Sequence, residues 1–179
     1  QSTECVHGRV YYSDPAEPNA WQVFNFRDVG RERGETIQCM EGYKDTLFIG
    51  TNKGLHIIVD AIRFGAGDAV GTYIVSPISD SVGCDSDWSM VNVEGVLYWH
   101  YNNSVYSWDG ESLKNVGFPI HGLLTPFAGK ADYYAVYSVV NIPYKEIWFF
   151  INKNGGTYPE TVYIYNYAVG KWSVMNDGE

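Results

Sequence analysis

Several places along the chain gather residue types that can do chemistry. In Cys84-Asp85-Ser86-Asp87 two carboxylates stand at i and i+2, a spacing that can hold a divalent cation. A calcium loop also needs further oxygen ligands and a bidentate Glu at fixed offsets, which are missing here. Asp and Ser bonded to their own backbone give the same pattern in a plain turn. The segment FGAGDAVG, with Gly65, Gly67 and Gly71, approaches a dinucleotide-binding fingerprint. That motif requires a helix start to meet the pyrophosphate, and the strand-like TYIVSPI follows instead. A glycine-rich hairpin loop is the favoured reading.

His7, His56, His100 and His121 lie far apart, with no HxH or HxxxH spacing. His56 and His100 fall within predicted strands, where a packed neutral imidazole is commoner than a metal ligand. Cys5, Cys39 and Cys84 form no CxxC pair and read as buried thiols of a reducing compartment. No Gly-x-Ser-x-Gly elbow exposes a nucleophile, and the repeated Ser-x-Asp-x-Gly-x-Thr-Trp box of sialidase-type propellers is absent. Carboxylates for glycoside cleavage can still converge from distant strands. Asn102-Asn103-Ser104, formally a glycosylation sequon, and Asp109-Gly110 after Trp108 both read as turns. Trp21, Trp99, Trp108 and Trp172 are candidates for stacking on sugar rings, which makes a lectin-like carbohydrate-binding protein the alternative reading. No catalytic, cofactor-binding or metal-ligating residue is assigned, and an enzyme is not expected.

Composition narrows the elements that carry these residues. The 179 residues include 21 acidic and 12 basic ones, a net charge of -9. Proteins that grip nucleic acid neutralise phosphates with Lys and Arg, so a tight nucleic-acid clamp is not expected. A chain of this length buries about 70% of its extended-state surface and can hold a core without staples. No apolar run approaches the roughly 20 residues that cross a bilayer, so no membrane role is expected. QSTECVHGRV lacks the layout of a secretion signal.

Helical periodicity is scarce. Apolar residues alternate or run in short blocks rich in Val, Ile, Tyr, Phe and Trp, with Gly, Asn, Asp or Pro between them, which is a strand-and-turn signature. The pattern predicts strands at Arg9–Ser13, Trp21–Phe26, Thr46–Gly50, Leu55–Val59, Gly71–Val75 and Ser89–Val93. Further strands are predicted at Val96–Tyr101, Val105–Trp108, Tyr134–Val140, Glu146–Ile151 and Val162–Tyr167. The one candidate helix, Leu113–Leu124, is broken by Gly117, Pro119 and Gly122. The domain is therefore all-β.

Three stretches share one pattern: a lead-in, a tight turn, an aromatic-rich strand, a polar loop and another apolar strand. Aligned on the middle strand, Leu47, Leu97 and Trp148 recur at spacings of 50 and 51 positions. A period of roughly 40–50 residues with about four strands per unit marks a β-propeller. The expected fold is a single β-propeller-like domain over 1–179, of three to four blades or a partial ring, with approximate repeats 5–36, 37–80, 81–130 and 131–179. Blades have two apolar faces, so strands must carry large side chains on both. The crowding of VLYWHYNNSVYSWDG (Val96–Gly110) with Tyr and Trp then reads as packing between blades.

With those elements placed, the chain resembles a known group. GRVYYSDPAEPNAWQVF (Gly8–Phe24), DTLFIGTNKGLHII (Asp45–Ile58), Val82–Cys84 ahead of WSMVNVEGVLYW, VYSWDG (Val105–Gly110) and VYIYNYAVGKWSV (Val162–Val174) occur in the expected order. Together they resemble the tail-hub, DNA-stabilisation and nozzle (tail tubular B-like) proteins of short-tailed phages. That resemblance implies a propeller-based structural protein of the virion tail, made in the bacterial host cytoplasm. It implies a role in oligomers or larger assemblies through contacts with other tail or portal proteins. Family members are usually much longer, and no functional residue carries over. An acidic conduit that lets DNA pass without gripping it fits the charge.

Overall fold

The computed structural model describes residues 8–13, 17–60, 73–124, 136–151, 159 and 161–176. The protein is all-β, with antiparallel sheets joined by turns and short 3-10 segments. Among the described residues no helix is long and apolar enough to cross a membrane. The chain divides into two compact units, Gln1–Gly83 and Cys84–Glu179.

In the first unit, β1 (Arg9–Tyr11) and β2 (Phe26–Asp28) form a two-stranded sheet. A four-stranded sheet follows, in which β3 (Ile37–Tyr43), β4 (Thr46–Thr51), β5 (Leu55–Asp60) and β6 (Tyr73–Ser79) lie in sequence order. Registered antiparallel partners share a face. Leu47, Ile58 and Val75 therefore line up across this sheet, and they pack with Val10 of the smaller one and with Val29 just beyond it.

In the second unit, β7 (Val91–Val93), β8 (Val96–Tyr101), β9 (Ser104–Trp108) and β10 (Leu113–Asn115) make one up-and-down sheet. The second comprises β11 (Val136–Asn141), β12 (Glu146–Ile151), β13 (Thr161–Asn166) and β14 (Lys171–Asn176). One face of this last sheet carries Val136, Ile147, Phe149, Ile151, Tyr163 and Tyr165. These pack on Val93, Tyr98 and Val105 of its neighbour. Trp172 closes the cluster, with its ring 4.8 Å from Tyr165 and its Nε1 donating to the Val116 carbonyl at 2.8 Å.

The hairpin registers refine the internal repeat. Tyr43 pairs Thr46, Val93 pairs Val96, and Asn141 pairs Glu146, so Thr46, Val96 and Glu146 open equivalent strands. Ile147, rather than Trp148, therefore corresponds to Leu47 and Leu97. The difference matters because a one-residue slip moves a side chain to the opposite face. In this register Ile49, Trp99 and Phe149 recur at spacings of 50 residues, and all three are 0% exposed. Aligning on bulk had favoured the larger Trp148, whereas the turn connections decide the face.

Other boundaries also differ from the pattern reading. Trp21–Asn25 is a turn rather than a strand, with the Asn25 amide donating to the Gln22 carbonyl at 3.1 Å, and pairing begins only at Phe26. β3, β10 and β14 were not predicted as strands, because their polar positions dilute the apolar alternation. The stretch Leu113–Leu124 holds β10 and a 3-10 turn at Phe118–Ile120.

Candidate functional site

A buried polar cluster lies in the first unit and is built from a glycine-bracketed turn. Gly30 and Gly34, both at φ 60°, flank a 3-10 turn over Arg31–Arg33. A Cβ at Gly30 would strike the Glu35 side chain, so the left-handed glycine lets Glu35 fold beneath the turn. Its carboxylate is fully buried. Glu35 Oε2 accepts from Thr51 Oγ1 at 2.7 Å and from His56 Nε2 at 2.8 Å, and Oε1 pairs with Arg33. Arg33 also meets Asp80 at 2.7 Å. Burial pulls the Glu35 carboxyl upward, but the bonds from Thr51 and His56 and the Arg33 charge outweigh it. They hold the group below the usual carboxylate range. Beside this cluster lies a cleft of about 460 Å³, lined by Asp28, Arg31, Arg33, His56 and Asp80 among others.

A hydroxyl, an imidazole and a carboxylate suggest nucleophilic catalysis, yet their order is wrong for it. In a catalytic triad the imidazole sits between the hydroxyl and the carboxylate and takes the hydroxyl proton. Here the carboxylate is central and receives a hydrogen bond from each of the others. Thr51 Oγ1 also accepts the Gly54 amide at 2.8 Å. The Asn52 amide and side chain clasp Thr36 at 2.9 Å each. The arrangement ties β4, β5 and the preceding turn together.

The second unit repeats this use of polar groups. Asp85 Oδ2 meets His100 Nδ1 at 3.0 Å and accepts the Asn102 amide at 2.8 Å. Asp87 Oδ1 instead accepts the Trp88 amide at 3.0 Å, so the two carboxylates of the candidate cation turn are engaged separately. Asp109 takes the amides of Glu111 and Ser112 and the Lys114 ammonium, which drives its carboxyl far below its usual range. The Trp-Asp-Gly stretch is thus a turn lock. Cys39 and Cys84 are both buried, and Cys84 Sγ donates to the Ser86 carbonyl at 3.1 Å. His121 is exposed, with Nδ1 3.1 Å from the Asn103 carbonyl oxygen. His7, Cys5 and the FGAGDAVG loop lie outside the described residues.

Of the four tryptophans considered for sugar stacking, Trp99 and Trp108 are buried and Trp172 packs in the core cluster. Trp21 is exposed, in the same turn as Val23 and Phe24, which are 78% and 84% exposed. Tyr137, Val139, Ile142, Tyr144, Val169 and Met175 of the second unit are also exposed. Sequence reasoning passed over Glu35, Arg33 and Thr51, because a cluster assembled from a turn and two strands leaves no linear signature. No family model matches the chain, and no curated protein matches it.

Proposed function

We propose that this chain is a structural virion protein, a tail-hub, nozzle or head-completion component acting through protein–protein assembly, as its resemblance to short-tailed phage proteins implies. The observation that carries the reading is the disposition of side chains. The acidic groups Glu35, Asp85 and Asp109 are engaged by neighbouring turns and strands, while bulky apolar groups such as Phe24, Ile142 and Tyr144 face solvent. Apolar side chains left outside suit contact between proteins better than chemistry on a small molecule. Three successive four-stranded meanders also have the connectivity of propeller blades, which supports a propeller or partial ring. The partners in this reading are other tail or portal proteins. Its net charge of -9 suits a wall past which DNA slides.

The test is peptide detection in purified particles, combined with the genes that flank the coding sequence. The expectation is stoichiometric recovery from virions and adjacent portal and terminase genes. Absence from particles, or tight binding of duplex DNA at low salt, overturns the reading.

A further inference from the structure

His56 and His100, the buried histidines among the described residues, each meet a carboxylate. The two acids share one place in the internal repeat. Glu35 and Asp85 stand 50 positions apart (85 − 35), the spacing that relates Ile49 to Trp99. Each lies in the stretch that leads into the first strand of a four-stranded sheet, β3 in one case and β7 in the other. Each stretch is bonded to the end of that sheet's second strand and to the hairpin that follows. In the first unit the Asn52 amide donates to the Thr36 carbonyl at 2.9 Å, and Glu35 engages Thr51 and His56. In the second the Asp85 amide donates to the His100 carbonyl at 3.2 Å, and the Asn102 amide to Asp85 Oδ2 at 2.8 Å. Asn52 and Asn102 are again 50 apart, and both bond the lead-in stretch from the hairpin. Glu35 is longer by a methylene, and its carboxylate reaches the Thr51 hydroxyl and the His56 ring, while the shorter Asp85 takes the hairpin amide.

We infer that Glu35 and Asp85 are the same part in two successive repeats: an acid-sensitive joint that fastens the lead-in stretch to its hairpin while the carboxylate is ionised and lets go when it takes a proton. The device holds whatever the chain assembles with. An ionised carboxylate accepts strong hydrogen bonds and offsets charge on a nearby imidazole. A protonated one accepts weakly and leaves a buried ring without an anion. Around the first joint, Glu35 faces Thr51 from β4, His56 from β5 and Arg33 from its own turn. Lys53 reaches the Arg33 carbonyl at 3.0 Å, and Asp28, Arg31, Glu32 and Asp80 line the cleft beside His56. On protonation Arg33 keeps Asp80, whereas His56 is left against a neutral acid. Around the second joint, Asp85 faces His100 from β8, while burial and the Asp85 charge raise the Tyr106 phenol of β9 above its usual range. Cys84 and Asp87 are engaged with the Ser86 carbonyl and the Trp88 amide. The 3.0 Å approach of His100 Nδ1 to Asp85 Oδ2 lacks hydrogen-bond alignment, so charge carries it. Access differs between the two. The Glu35 carboxylate is sealed and its folded-state pKa is depressed, so the first joint stays shut through the ordinary carboxylate range and opens below it. The Asp85 side chain is 21% exposed and meets solvent protons directly. Position 135, next in the series, is Ala in the sequence, which leaves the last sheet as an internal reference.

The test is amide hydrogen exchange of the full chain, resolved by residue in solution NMR and corrected for intrinsic rates, from pH 7 down to pH 3. Protection at Asn52 and Asn102 is expected to fall by about tenfold or more relative to Trp148 and Tyr163 of the last sheet, the loss that a charge-assisted hydrogen bond implies. Asp85→Asn keeps the shape and an acceptor for the Asn102 amide. It is expected to abolish the pH dependence at Asn102 and to leave that at Asn52 unchanged. Glu35→Gln is expected to do the reverse. If Glu35→Gln does not fold, Asp85→Asn, at the partly exposed site, decides alone. Protection that stays constant with pH overturns the inference, as does a loss shared equally by the joints and the last sheet. So does a folded Asp85→Asn variant that retains the pH dependence at Asn102 or loses it equally at Asn52.

Discussion

Glu35 shows at the residue scale how one buried carboxylate organises its surroundings. Glu35→Gln removes the charge that His56 and Arg33 face, and is expected to cost about 2–3 kcal/mol in denaturant unfolding. Its pH signature has a definite sign. The folded-state pKa is depressed, so the stability it contributes is present above the unfolded value of about 4.3 and is lost as pH falls through the folded one. Asp28 is also held down, chiefly by its bond from Arg9, and adds loss in the same direction. Melting temperature should therefore decline from pH 5 towards pH 3, less steeply in Glu35→Gln, as circular dichroism melts would show. Trp99 is the largest fully buried side chain among the described residues. Trp99→Ala is expected to cost about 3–5 kcal/mol in the same unfolding assay.

At the scale of elements, turns decide which residues share a face. Asn102 and Asn103 have φ of 44° and 62°, and Glu94 and Gly95 have 50° and 79°. Positive φ at both central residues is the requirement of a type I′ turn, whose twist matches the strands it joins. Gly95→Ala is expected to cost about 1 kcal/mol, read as a lower denaturant midpoint with unchanged slope. Asn-Asn-Ser and Asp-Gly were legible as turns because their side chains or missing Cβ act locally. β14 was not legible, since a strand such as KWSVMN has too little apolar alternation to stand out and is defined by its pairing with β13. The equivalence of Ile147 with Leu97 was hidden for a related reason. Side-chain size points to Trp148, while hairpin geometry points one residue earlier.

For the molecule as a whole, exposed apolar side chains such as Phe24 and Ile142 and the acidic charge act together. A net charge of -9 keeps copies apart at neutral pH, so association through an apolar face should strengthen with added salt as repulsion is screened. Near the pI of about 4.8 that repulsion vanishes. Turbidity is expected there. Nephelometry across pH 4 to 8 checks this.

The sequence by itself determined that the protein is all-β, built of short strands and tight turns with an internal repeat. Alternation and turn chemistry act between neighbours along the chain, so they can be read without coordinates. Only the tertiary structure decided that Glu35, Thr51 and His56 meet and that Trp99 is packed rather than presented. Those outcomes depend on register and on which faces find a partner, and residues far apart in the chain settle both.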